Sequence, residues 1–294
     1  MSRRTVVSGD GTRLSCWSND GVGVPVVLCN GLGAPVGAWP DVVDRVDTYR
    51  VVSWDHRGLG ESERPSDETR ITVADHSDDL TAVMDAFGIE TSILIGWSLG
   101  VNVAFDFAQR HPERVAGVLA VAGVPGGTFS ALFHPLPRAL RPGAGRIGAH
   151  LLRFVGPALS TLSDSLPGSP DGDFARRWLW TIGLDARHVS TLVHVLRVFA
   201  KHDWAWYSRL ARASGDHEPI DLRFVTFPAT FIAGTWDTIS SADDVQAASR
   251  QVRDSRYVEL DGTHYVPLQF PSVMSSELRL LVDRSGLGRG LRPD

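Results

Sequence analysis

The chain has 294 residues, 43% of them hydrophobic and 21% charged, with a formal net charge of −5. That length accommodates a large buried core, as one domain or as a core with an inserted piece. The acidic balance, with no basic stripe interleaved with aromatics, argues against a nucleic-acid partner, and no apolar run is long enough for an integral membrane segment.

Arg3 and Arg4 open the chain without an apolar stretch behind them, so the N-terminus does not read as a signal peptide. Residues 5–8 and 13–17 flank Gly9-Asp10-Gly11-Thr12 and predict a β-hairpin. The apolar run Val24–Cys29 predicts a central strand, followed by the loop Asn30-Gly31-Leu32-Gly33-Ala34-Pro35. A short helix is expected over residues 39–46 and another strand over Tyr49–Trp54. That strand runs into Asp55-His56-Arg57-Gly58-Leu59-Gly60-Glu61-Ser62. Residues 72–87 read as a helix closed by Gly88. The only cysteines, Cys16 and Cys29, fall in strand-like stretches. They exclude a disulfide framework, lack metal-site spacing, and read as buried thiols of a cytoplasmic protein.

The stretch Ser-Ile-Leu-Ile-Gly-Trp-Ser-Leu-Gly from Ser92 to Gly100 then places Ser98 between a buried strand and a helix. It carries the nucleophile-elbow pattern G-x-S-x-G, in which a sharp turn lifts a hydroxyl out of the sheet. A further buried strand is expected over residues 115–124. Strand and helix in alternation predict an α/β fold, a mostly parallel doubly wound sheet. The alternation stops for residues 125–223 and resumes with a strand at 229–233, a helix at 242–252, a strand at 257–260 and a helix at 271–282. Residues 285–294 read as a frayed tail. The expected organisation is a core over 1–124 and 224–294 with a helical cap inserted at 125–223. The insertion is Pro/Gly-punctuated up to about residue 170 and helical around 174–184 and 188–201. It holds four of the nine tryptophans, Trp178, Trp180, Trp204 and Trp206.

A serine hydroxyl needs a base to take its proton, and the base needs a partner that fixes its tautomer. Reactive groups of open α/β sheets gather at the carboxyl ends of strands. Asp237 follows the strand at 229–233, and His264 follows the strand at 257–260. The candidate catalytic residues are therefore Ser98, Asp237 and His264, in the chain order expected of an α/β-hydrolase. No carboxylate follows the strand at 115–124, which leaves Asp237 little competition. His56 and His76 lie near a turn and on a helix, with no acid at a strand end. His188, His194 and His202 are not spaced to stack on one helical face. With no paired Cys/His motif either, neither metal nor cofactor is expected. Asp55 and Arg57 are read as tying their loop together.

With these residues in place, the chain resembles the α/β-hydrolase superfamily, and within it the capped serine-hydrolase, esterase- or lipase-like branch. Besides Gly96–Gly100, the segment Asp55–Ser62 resembles the D-x-R-G-x-G-x-S loop of capped members, and the insertion falls where the family places a cap. The resemblance implies an oxyanion hole made by the backbone N–H groups of Leu99 and Leu32. The loop carrying Leu32 begins Asn30-Gly31, where the family usually has His-Gly. Members that open epoxides or remove halide use an aspartate at the elbow, so Ser98 argues against both reactions.

A serine there implies acyl transfer, and the expected activity is hydrolysis of a carboxylic ester or thioester of an apolar acyl group. The expected partner is that small-molecule ester, with a homo-oligomer left open. Trp97, Trp178 and Trp204 are the candidate substrate contacts; the alternative, that the tryptophans pack the cap onto the core, stands beside this. The insertion carries 12 Lys and Arg against 8 Asp and Glu, a mildly basic cap on an acidic core. One rival is a carbon–carbon bond hydrolase of ring-cleavage diketones, which the Gly31–Pro35 loop distantly resembles, although Tyr265 follows His264 where a tryptophan would be expected. The other is a non-catalytic ligand-binding member of the fold.

Overall fold

The computed structural model describes residues 1–132, 136–164, 195 and 197–287. The strands are β1 (Ser2–Val7), β2 (Arg13–Ser18), β3 (Val24–Cys29), β4 (Tyr49–Trp54), β5 (Ser92–Trp97), β6 (Val115–Val121), β7 (Ala229–Gly234) and β8 (Ser255–Leu260). They form one eight-stranded sheet in the order β1-β2-β4-β3-β5-β6-β7-β8. The β1–β2 and β2–β4 pairs are antiparallel and every other pair is parallel.

The described helices of the core are α1 (Pro40–Val43), α2 (Val73–Ala86) and α3 (Leu99–Arg110). Between β6 and β7, in the stretch expected from the sequence to be an insertion, lie α4 (Thr128–Ala131), α5 (Arg141–Asp164) and α6 (Trp204–Gly215). The core then closes with α7 (Ala242–Ser249), α8 (Val266–Gln269) and α9 (Pro271–Ser285). Side chains alternate across a strand, and here each face of the sheet buries its own core. Val27, Leu94, Ala120 and Phe231 pack with α2, α3 and α7 on one side. Val26, Ile93, Ile95, Leu119 and Ile232 pack with α1 and α9 on the other. Burial on both faces explains why the parallel strands read as continuous apolar runs.

The chain moves outward from β3 to β4 and then returns past β3 to β5. The carboxyl ends of β3 and β5 therefore flank the switch point of the sheet, where open α/β folds open a crevice. Cys29 pairs with Gly96 there, so the loop after β3 and the turn after β5 start side by side.

Several boundaries differ from the sequence reading for physical reasons. β6 stops at Val121, short of residue 124, because Ala122 turns to φ 45°. The next residue, Gly123, lies against the elbow, where a Cβ would sit 2.7 Å from the Ser98 carbonyl oxygen. The larger difference is α5, a 24-residue helix over a stretch that reads as Pro/Gly-punctuated. Tertiary packing outweighs the poor helix propensity of its glycines. A Cβ on Gly145 would lie 2.5 Å from the Phe129 ring, and one on Gly156 2.1 Å from the Trp204 indole. Those glycines let large aromatics close onto the helix. The helix expected over 174–184, most of that over 188–201, and Trp178 and Trp180 lie outside the described residues, as does most of the tail.

Candidate active site

β5 ends at Trp97 and α3 begins at Leu99, and Ser98 makes the turn between them with φ 55° and ψ −117°. A non-glycine residue held there stores strain that the surroundings must impose. The Ser98 N–H donates to the Val121 carbonyl and its own carbonyl accepts from Val101, which pins the turn between β6 and α3. The two glycines of the pattern are steric necessities. A Cβ on Gly96 would lie 2.7 Å from the Gly100 carbonyl oxygen, and one on Gly100 only 1.7 Å from that of Cys29.

Asp237 and His264 leave the ends of β7 and β8 and meet, with Asp237 Oδ2 2.8 Å from His264 Nδ1. The other carboxylate oxygen, Oδ1, accepts from the backbone N–H groups of Ile239 (2.8 Å) and Ser240 (2.9 Å), and the side chain is fully buried. The acid is thus fixed by its own loop, while the imidazole keeps 11% exposure. Trp97 supports the histidine from the end of β5 by donating from Nε1 to the His264 carbonyl at 3.0 Å.

The loop after β3 lies against this group, since a Cβ on Gly31 would be 3.6 Å from the Ser98 Cβ. Asn30, in the place of the family's usual histidine, accepts from Trp39 Nε1 at 2.9 Å and contacts the Ser53 hydroxyl. It therefore ties the base of the loop to α1 and β4. Within the loop, Ala34 N–H donates to the Gly31 carbonyl at 2.9 Å. The N–H of Leu32 shares that peptide plane and points the opposite way from the carbonyl. The N–H of Leu99, at the first position of α3, has no intrahelical acceptor.

Ser98, His264, Leu32, Leu99 and Trp97 line one cavity of about 390 Å³. Its remaining wall comes largely from the insertion, including Phe129, Leu132, Leu152, Val195, Phe199 and Tyr207. Among the described residues, no Lys, Arg, Asp or Glu lines it. The sequence reading missed this wall, although α5 carries Gly145, Gly148, Ala149 and Leu152 at one-face spacing.

Trp204 is not among the lining residues. Its indole donates to the Ser160 hydroxyl at 2.8 Å and packs on Phe199 and Tyr207 inside the insertion. Among the described residues, no group of three His, Cys, Asp or Glu could hold a metal ion. No helix among them is long and apolar enough to cross a membrane. Cys16 and Cys29 are buried free thiols, and burial pushes Cys16 up to about 12.

The chain matches the family described as alpha/beta hydrolase fold over residues 24–271. It belongs to that family. Among known proteins, the chain is 34% identical to a putative carbamate hydrolase, RutD, of Caulobacter vibrioides over 125 residues. That match covers 42% of this chain and 46% of the relative. It is 35% identical to 2-hydroxymuconate semialdehyde hydrolase of Pseudomonas sp. CF600 over 121 residues, 39% of this chain and 41% of the relative. The matches thus span less than half the length of either relative. Among solved structures, a thermophilic esterase from Thermogutta terrifontis superposes with a TM-score of 0.73 at 20% identity, over 97% of this chain and 99% of that one. That likeness is one of fold.

Proposed function

We propose that this α/β-hydrolase is a serine hydrolase that cleaves uncharged carboxylic esters or thioesters of apolar acyl groups. The observation that carries the reading is the convergence of the strained Ser98 elbow and the Asp237–His264 pair on one apolar cavity. In this reading His264 takes the Ser98 proton as Oγ attacks the acyl carbon. Asp237 holds the Nδ1–H tautomer and stabilises the imidazolium. The tetrahedral oxyanion accepts from the N–H groups of Leu32 and Leu99. The tetrahedral adduct collapses to an acyl-enzyme as His264 protonates the leaving alkoxide or thiolate. Water, deprotonated by His264, then releases the acid. Residues 125–223 act as the cap that shapes the acyl pocket.

The 2-hydroxymuconate semialdehyde hydrolase relative favours a second reading, carbon–carbon bond hydrolysis of a ring-cleavage product. Such products carry carboxylates, and a carboxylate entering this cavity meets no cation among the described lining residues. The ester reading therefore stands first.

A fluorophosphonate probe and a panel of p-nitrophenyl esters test it beside a dienoate diketone. The expected outcome is labelling that Ser98→Ala abolishes, ester turnover, and a fall in kcat of roughly 10⁴-fold or more in that variant. Turnover of the diketone alone would transfer the assignment to the second reading. A folded protein that neither reacts with the probe nor turns over any substrate would mark a binding protein.

A further inference from the structure

The carbonyl groups of the loop after β3 are occupied in an order that involves the insertion directly. Gly31 C=O accepts from Ala34 N–H within the loop. The next carbonyl, Leu32, accepts from the Tyr207 hydroxyl at 3.3 Å. The one after that, Gly33, lies 2.9 Å from His202 Nε2. Two of the three consecutive peptide planes around the proposed oxyanion donor are therefore held by side chains from the insertion. A carbonyl can only accept, so Nε2 of His202 carries the proton in that contact.

The close approach is built into the sequence. Gly33 has φ 71°, and a Cβ there would fall 2.3 Å from His202 Nε2 and 3.2 Å from the Tyr207 ring. The two rings stack on each other at 5.8 Å and 18°, and Phe199 packs edge-on against both. Tyr207 lies on α6 and His202 just before it, and α6 is anchored on the core independently of the loop. Asp203 caps α6 by accepting from Ala205 and Trp206. Trp206 donates from Nε1 to the Arg57 carbonyl at 2.8 Å and is flanked by the Arg64 and Arg209 guanidinium groups.

We infer that His202 and Tyr207 are positioning residues that clamp the oxyanion loop, so that the donor geometry is complete only when the insertion is seated on the core. This rests on the acyl-transfer reading above. Oxyanion donors act by being fixed in place before charge develops, and a displacement of about 1 Å can cost on the order of 100-fold in rate. A clamp of this kind is felt in the transition state, whose oxyanion needs the donor, more than in substrate binding.

The full chain acting on an apolar p-nitrophenyl ester provides the test. Tyr207→Phe keeps the ring and deletes one donor, and kcat is expected to fall roughly tenfold with KM nearly unchanged. His202→Ala is expected to lower kcat roughly ten- to 100-fold. His202→Gln, whose amide can donate to the same carbonyl, should recover most of that loss. Inhibition by an apolar trifluoromethyl ketone, which forms an oxyanion on the enzyme, should weaken in parallel with kcat.

Unchanged kcat in both Tyr207→Phe and His202→Ala would overturn the clamp. So would a rise in KM with kcat intact, which would make Tyr207 a pocket wall alone, or a His202→Gln variant no better than alanine. Ser98→Ala assayed alongside separates the two levels. If it retains turnover, the acyl-transfer reading itself fails; if it is inactive while the clamp variants are unimpaired, only the clamp fails.

Discussion

Two clusters of ionisable side chains lie in the core of this α/β-hydrolase-fold protein, and they are built to opposite designs. In one, the Arg57 guanidinium is fully buried and pairs with Asp79 through Nε and Nη2, each at 2.7 Å. Its remaining donors go to Asp10, Ser8 Oγ and the carbonyls of Arg70 and Asp75. Every donor ends on a protein group, and the cluster fastens the loop after β4 to the first hairpin and to α2. In the other, Asp237 is as deeply buried, but its partner His264 stands at the wall of a cavity that it shares with Ser98. A saturated cluster holds shape, whereas the pair proposed as catalytic ends at a cavity. Charge and burial alone do not tell the two apart; where the last polar atom points does.

Asp237→Asn is the sharpest way to break that contrast. The amide keeps the packing but offers the wrong group to Nδ1, so the imidazole loses the tautomer it needs. kcat should fall by roughly 10⁴-fold, while the urea midpoint stays close to that of the unsubstituted protein. A variant that kept its rate would move the acid elsewhere, and one that lost stability in proportion would make the pair structural.

Asp79→Asn is the mirror experiment. It leaves the Arg57 charge buried with Asp10 as its remaining carboxylate, and removing one partner of such a pair costs about 3–5 kcal/mol. The expected result is a large drop in the urea midpoint, with kcat of the folded protein on an ester within about twofold of the unsubstituted value. Loss of kcat at unchanged stability would assign this cluster to the active site and erase the distinction.

The difference between the clusters also explains how far the sequence could be read. The contact between Asp237 and His264 can be anticipated because each follows its own apolar strand, and strand ends are recognisable from local pattern alone. The Gly96 and Gly100 flanks were legible for a similarly local reason, since the elbow leaves no room for a side chain there. The described part of the stretch between β6 and β7 departs from its sequence pattern in one helix, α5. The glycines that seem to break α5 are the places where Phe129 and Trp204 pack, a fact of tertiary contact with no trace in periodicity. Trp204 was a plausible substrate contact by type, yet its indole is committed to Ser160. Asn30 departs from the family's histidine, and only the structure shows Trp39 and Ser53 as the partners that steady it.

The smallest expected effect concerns His56, which belongs to the sealed side. It is buried against His76, with ring centroids 5.1 Å apart, and its Nε2 has no hydrogen-bond partner among the described residues. Burial, reinforced by the neighbouring His76, pushes it down from 6.5 to about 3, with Asp79 only partly opposing. Because the folded value lies below the ordinary one, the unfolded chain takes up this proton first. The stability that goes with a neutral His56 is complete above pH 6.5 and is lost as pH falls toward 3, by up to about 1.4 kcal/mol per pH unit. Urea unfolding at pH 7, 6 and 5 should therefore show a decline that His56→Phe, which keeps a ring of similar size but cannot titrate, makes shallower. Equal slopes in the two proteins would mean that the proton enters elsewhere, and that the sealed cluster tolerates charge better than its packing implies.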